Sequence, residues 1–173
     1  MYRDNTLIPT EAIRLAALGR LMEGPTPYGE LAREVRQFVS LLVGPSLDML
    51  APSLELLCFE GLAESAGDAN ADPDAEIAIT EEGRIAFRGL MTSNVRAPVN
   101  DVSRLVMALK LRFLHLLEGE DRADQIEMLS EMCETELARL EQLKSLQNSG
   151  GFANWLGFEI DQLQARLDWF KRL

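Results

Sequence analysis

The apolar residues of this chain recur three and four positions apart almost from end to end, and the pattern gives way once, between Leu62 and Thr80. That single change of period constrains the fold most tightly, because one face of a helix repeats about every 3.6 residues and one face of a strand about every second residue. Ahead of the change the spacing predicts three helices. Ile13, Ala17, Leu18 and Leu21 follow a cap at Thr10 and stop at Glu23-Gly24-Pro25. After the turn Gly24-Pro25-Thr26-Pro27, Leu31, Val35, Phe38 and Leu42 face inward on a second helix ended by Gly44-Pro45. A third runs from Ser46 to Gly61 with Leu47, Leu50, Leu54, Leu57 and either Cys58 or Phe59 on one stripe, and Pro52 is its weak point.

The exception reads as a two-stranded hairpin. Leu62-Ala63 forms one side, the acidic stretch Glu64 to Glu76 the tip, and alternating Ile77-Ala78-Ile79 the return. Thr80 then caps a fourth helix through Ile85, Phe87 and Leu90. Three helices, a hairpin and a helix, with the second and third helices tightly joined, is the order of a winged helix-turn-helix. Asn94 to Asn100, with Pro98, reads as a linker, so residues 1–94 are expected to form the winged domain and 95–173 a helical region.

Beyond the linker the pattern is purely helical. Val102, Leu105, Leu109, Phe113 and Leu116 mark one helix, and Ile126, Leu129, Cys133, Leu137, Leu140 and Leu143 a longer one. Leu156, Ile160, Leu163, Leu167 and Phe170 then step by four, three, four and three, the spacing of a helix packed along another, and Trp155 and Trp169 widen that face. One small antiparallel hairpin cannot cover so much apolar surface, so a second copy is expected to bury the surplus. The expected fold is therefore mainly α: an N-terminal winged helix-turn-helix with a small β-hairpin wing, then a C-terminal antiparallel helical dimerisation region.

Composition narrows the function. With 17 Lys and Arg against 28 Asp and Glu the net charge is −11, the wrong sign for binding nucleic acid by bulk electrostatics, so any DNA contact must be local. No nucleophile-base pairing, phosphate-binding glycine loop or metal-ligand cluster stands out, and the single histidine, His115, sits among leucines, so neither an enzyme nor a cofactor is expected. The acidic run Asp68 to Glu76 lacks the spacing of a calcium loop. Cys58 and Cys133 lie in apolar helical patterns and read as core residues of a reducing cytoplasm. No run of residues is apolar and long enough for a membrane span, and a secretory signal is not expected.

The element order and several short motifs resemble the PadR family of bacterial transcription regulators, and within it the AphA-like branch. Tyr28-Gly29-Glu30-Leu31 matches the family's Gly-Tyr-Glu-Leu element with the first two residues exchanged. Leu54, Leu57 and Glu60-Gly61-Leu62 match its third helix, with Ala51 where a tyrosine is usual, and Ile79-Thr80-Glu81-Glu82-Gly83 keeps the end of its wing motif. Arg112-Phe113-Leu114 and Leu167-Asp168-Trp169 are similar to its dimerisation arms. The resemblance implies a homodimer that binds a palindromic operator in double-stranded DNA, with any small-molecule or protein effector left open. Tyr28, Arg33, Arg36, Ser46, Met49 and Ser53 are the expected DNA-binding residues, Tyr28 reading equally as a packing lid. Phe113, Trp155, Leu156, Ile160, Leu163, Leu167, Trp169 and Phe170 are the expected dimer contacts.

The placement of charge supplies the competing reading. Residues 37–83 hold ten acids and no Lys or Arg, so the excess negative charge falls on the expected recognition helix and wing. A degenerate winged-helix dimer that binds a protein partner through this acidic face is the alternative function.

Overall fold

The computed structural model describes residues 7–43, 56–65, 74–95, 100–146 and 150–173. Helix α1 (Pro9–Met22) is followed by strand β1 (Thr26–Pro27), helix α2 (Tyr28–Val43), a helical turn at 56–59, strands β2 (Ala63–Ser65) and β3 (Glu76–Ile79), and helix α3 (Glu81–Met91). Helix α4 (Asp101–Arg112), a short 3₁₀ turn (Leu114–Leu116), and the long helices α5 (Gly119–Leu146) and α6 (Gly150–Phe170) complete the chain. This is the mainly helical winged-helix architecture with a helical C-terminal region that the periodicity predicts.

The sheet has one strand more than expected. Its order is β1-β3-β2, antiparallel throughout, with Thr26 opposite Ile77 and Ala63 opposite Ile79. Gly24 to Pro27, read from sequence as a turn alone, contains β1. Two residues give no alternation to detect, and Pro27, which lacks an N–H, is tolerated because β1 lies at the sheet edge. The Tyr28 amide, next in the chain, donates to the Ala75 carbonyl at 3.0 Å.

Local chemistry fixes the element ends. Pro9 occupies the first position of α1, where a missing N–H costs nothing, and the Ile8 amide donates to the Glu11 carboxylate at 2.9 Å, so the helix starts ahead of the expected Thr10 cap. The described end of the third helical segment closes on Gly61 at φ +72°, with the Leu62 amide donating to Leu57 and the Gly61 amide to Cys58. Leu57 is buried there, Cys58 half-buried and Phe59 exposed, which settles the stripe; residues 46–55 of that expected helix lie outside the described residues. Thr80 accepts from the Gly83 amide at 3.1 Å and donates to the Gly61 carbonyl at 2.7 Å, tying the wing to α3. Ile85, counted in the apolar pattern of α3, is exposed; Phe87 and Met91 are buried instead. Asn100 caps α4 through Ser103, each side chain accepting from the other's amide.

Helix α1 is the centre of the core. Its residues from Ala12 to Leu21 are almost all buried, because α2, α3, α4 and β3 pack around it. Helix α4 ends at Arg112 rather than continuing to Leu116, and Phe113 turns inward beside Gly19. A Cβ on Gly19 would lie 2.3 Å from the Phe113 ring, so only glycine leaves room for that aromatic, which also meets Phe87 edge-on at 6.2 Å. The core is thus continuous from α1 into α4.

Candidate nucleic-acid interface and pairing face

Helix α2 presents the described part of the expected DNA-binding set. Arg33 and Arg36 are exposed on it, while Tyr28, at its start, is half-buried against the core. Ser46, Met49 and Ser53 lie outside the described residues.

Ion pairing decides which cations of the winged helix remain available. Arg20 donates to Glu34 at 2.7 Å in a part-buried pair and Arg14 to Glu60 at 2.8 Å at the surface, so both arginines already have an anionic partner within the fold. Arg33 approaches Glu30 at 3.4 Å in the open, a contact worth well under 1 kcal/mol. Arg36 and Arg88 are exposed and make no ion pair among the described residues. Opposing them, Glu64 and Glu76 on the wing and Glu81 and Glu82 at the start of α3 are all exposed.

The C-terminal helices carry two apolar stripes. Helices α5 and α6 pack along each other, and Leu156, Leu163, Leu167 and Phe170 are buried, with Ile160 half-buried. These five expected dimer contacts therefore belong to the packing of a single chain, as does Phe113. A four-three spacing marks a helix-helix seam without saying whether the neighbouring helix is in the same chain. A second stripe, Trp155, Phe158, Gln162, Ala165 and Trp169, steps by three, four, three and four and is exposed at every position; the three aromatics keep 44–59% of their surface in water. Trp155 and Trp169 are among the expected dimer contacts, and Phe158 and Ala165 share their heptad spacing.

Where the winged helix meets the arms lies a buried cation. Lys110 of α4 is fully buried, and its ammonium donates to the Met91 carbonyl and, at 2.8 Å, to Gln125 Oε1. It supplies a donor to the end of α3, where helix carbonyls lack partners. Burial pulls its pKa down to about 7. Burial raises both cysteine thiols, which keeps them neutral; Arg166 offsets this in part at Cys133. His115 is exposed, its Nδ1 3.0 Å from the Arg112 carbonyl. Among the described residues no group of three or more His, Cys, Asp or Glu is placed to hold a metal, and no helix is long and apolar enough to cross a membrane.

The three-stranded sheet framed by α1, α2 and α3, with a two-helix arm, defines a winged-helix protein. The chain belongs to the AphA-like family of transcriptional regulators: the family model described as "Putative AphA-like transcriptional regulator" matches residues 2–173. Among solved structures, it is similar to Bacillus subtilis PadR in complex with p-coumaric acid, at 16% identity and a TM-score of 0.42 over 96% of each chain. PadR alone gives 16% and 0.42 over 96% of this chain and 95% of that one. PadR in complex with operator DNA gives 15% and 0.38 over 92% and 94%. No curated protein matches the chain.

Proposed function

We propose that two copies of this chain pair through the outward stripe of α6 and bind a palindromic operator in cytoplasmic double-stranded DNA, regulating transcription without catalysing a reaction. The outward stripe carries the reading. An exposed run of heptad-spaced aromatics marks an interaction face, and an identical stripe on a twofold-related copy covers it symmetrically. Two winged helices held this way meet successive turns of one duplex face, about 34 Å apart. Arg33 and Arg36 of α2 supply phosphate contacts, with Tyr28 beside them and Ser46, Met49 and Ser53 on the following segment. Fluorescence anisotropy on promoter fragments near the chain's own gene tests this. Saturable binding at low salt is expected, weakening steeply as salt rises. Absence of saturable binding at low salt contradicts it.

The exposed acids Glu64, Glu76, Glu81 and Glu82 favour a second reading, in which the dimer binds a basic protein partner through the wing. Reversing those four charges then abolishes partner pull-down; unchanged pull-down counts against it.

A further inference from the structure

Among the described residues, a single hydrogen bond joins the chain up to Leu117 with helices α5 and α6, the one that Lys110 Nζ donates to Gln125 Oε1 at 2.8 Å; no ion pair crosses the same seam. Both side chains are buried, in a core that continues through Leu109 on α4 and Leu129 on α5. A hydrogen bond enclosed in this way is exchanged for one to water only when the two surfaces part.

The same lysine closes α3. Thr92 Oγ1 donates to the Arg88 and Gly89 carbonyls and Ser93 Oγ to that of Leu90, which leaves the Met91 carbonyl to Lys110. At the other end of α3, Thr80 is bonded to Gly61 at the foot of the wing. One side chain of α4 thus holds α3 and α5 together.

Among the described residues nothing balances a charge in this seat. A protonated amine carries three donors and finds two acceptors here, both neutral, whereas the unprotonated amine carries two donors and matches them. Arg88 on α3, Arg104 and Arg112 on α4, and Asp121, Arg122 and Asp124 on α5 are exposed, and none pairs with the lysine. On α1, Arg14 and Arg20 are taken by Glu60 and by Glu34 of α2. Burial accordingly brings the lysine's pKa down to about 7, against about 10.4 in water.

We propose that Lys110 and Gln125 form a proton-sensitive latch: the neutral amine seats the arm on α3 and α4, and uptake of a proton parts the α4–α5 seam so that water reaches the ammonium. The unseated form binds the proton more tightly, so falling pH favours it. Because α3 is tied to the wing, the seating of the arm and the position of the wing change together. The latch belongs to the single chain and is read without DNA, so it stands or fails separately from operator binding.

Hydrogen exchange by mass spectrometry on the full chain, corrected for the intrinsic pH dependence of amide exchange, tests it. Between about pH 8.5 and about pH 6, the amides of residues 88–93 and 123–130 should lose protection about tenfold or more. At the lower pH they should exchange faster than those of the core helix α1, the mark of local opening rather than global unfolding. Lys110→Met should remove the pH dependence at both segments. Gln125→Glu gives the ammonium an anion and should keep both segments protected at about pH 6, a rescue that a purely packing role does not predict. If Lys110→Met does not fold, Gln125→Glu decides. Equal protection of the wild type at the two pH values, loosening no faster than in α1, pH dependence that survives in folded Lys110→Met, or unchanged acid loosening in Gln125→Glu overturns the proposal.

Discussion

A lysine enclosed by protein must find acceptors, and Lys110 finds two, one at the end of α3 and one on α5. Its pKa near 7 gives stability a specific pH dependence. The folded state disfavours the protonated amine, whereas the unfolded chain holds it protonated up to about pH 10.4. Unfolding therefore takes up a proton between these values, and stability rises with pH across that window; below about pH 7 the cost of burying the charge is fully present. Lys110→Met removes this contribution. Urea melts should show wild type gaining stability relative to the variant from about pH 6 to about pH 9. A constant difference between the two proteins means that the lysine is not buried as described. Packing gives a second expectation at this scale. Phe113→Ala leaves a void beside Gly19 and Phe87 and should cost about 3–5 kcal/mol in the same melts. A loss below about 1 kcal/mol would show the ring to be a surface group. Neither role was readable from sequence: Lys110 stands between Leu109 and Leu111 as any polar interruption of a helix does, and Gly19 reads as an ordinary small residue in an apolar run.

At the level of elements, α6 carries two apolar stripes, one buried against α5 and one exposed. Leu163 and Leu167 hold the α5–α6 hairpin together, so charging both should lower helical content and melting temperature before any change in association is read. Phe158→Glu with Trp169→Glu, on the exposed stripe, should leave the helical signal intact. Circular dichroism separates the cases, and equal damage from both pairs would contradict the division. Elements were legible wherever their pattern ran long enough. The periods of α1, α2, α5 and α6 and the alternation at Ile77 to Ile79 predicted the winged helix and its arm. Two-residue β1 carried no period. The inward turn of Phe113 depends on a gap in α1 nearly a hundred residues away, which local spacing does not encode. Helix α6 carries two heptad patterns, one buried within the chain and a second, offset by two residues at Phe158, facing outward, and a spacing alone does not say which neighbour covers it.

For the whole molecule, electrostatics and symmetry pull in opposite directions. The net charge of −11 and the exposed acids of the wing oppose a polyanion, while the proposed pairing would double every favourable contact made by α2. Replacing Glu64, Glu76, Glu81 and Glu82 with glutamine should tighten DNA binding several-fold at low salt, the gain shrinking as salt screens the wing, with anisotropy as the readout. Loss of affinity in that variant would favour the protein-binding alternative. All of this depends on two winged helices being joined through α6. The most direct measurement is molar mass by light scattering. The chain should run at twice its 19.3 kDa, and the Phe158→Glu, Trp169→Glu variant at 19.3 kDa with its helices retained. A wild-type chain that is monomeric at high concentration, or a variant that remains dimeric, would contradict the account.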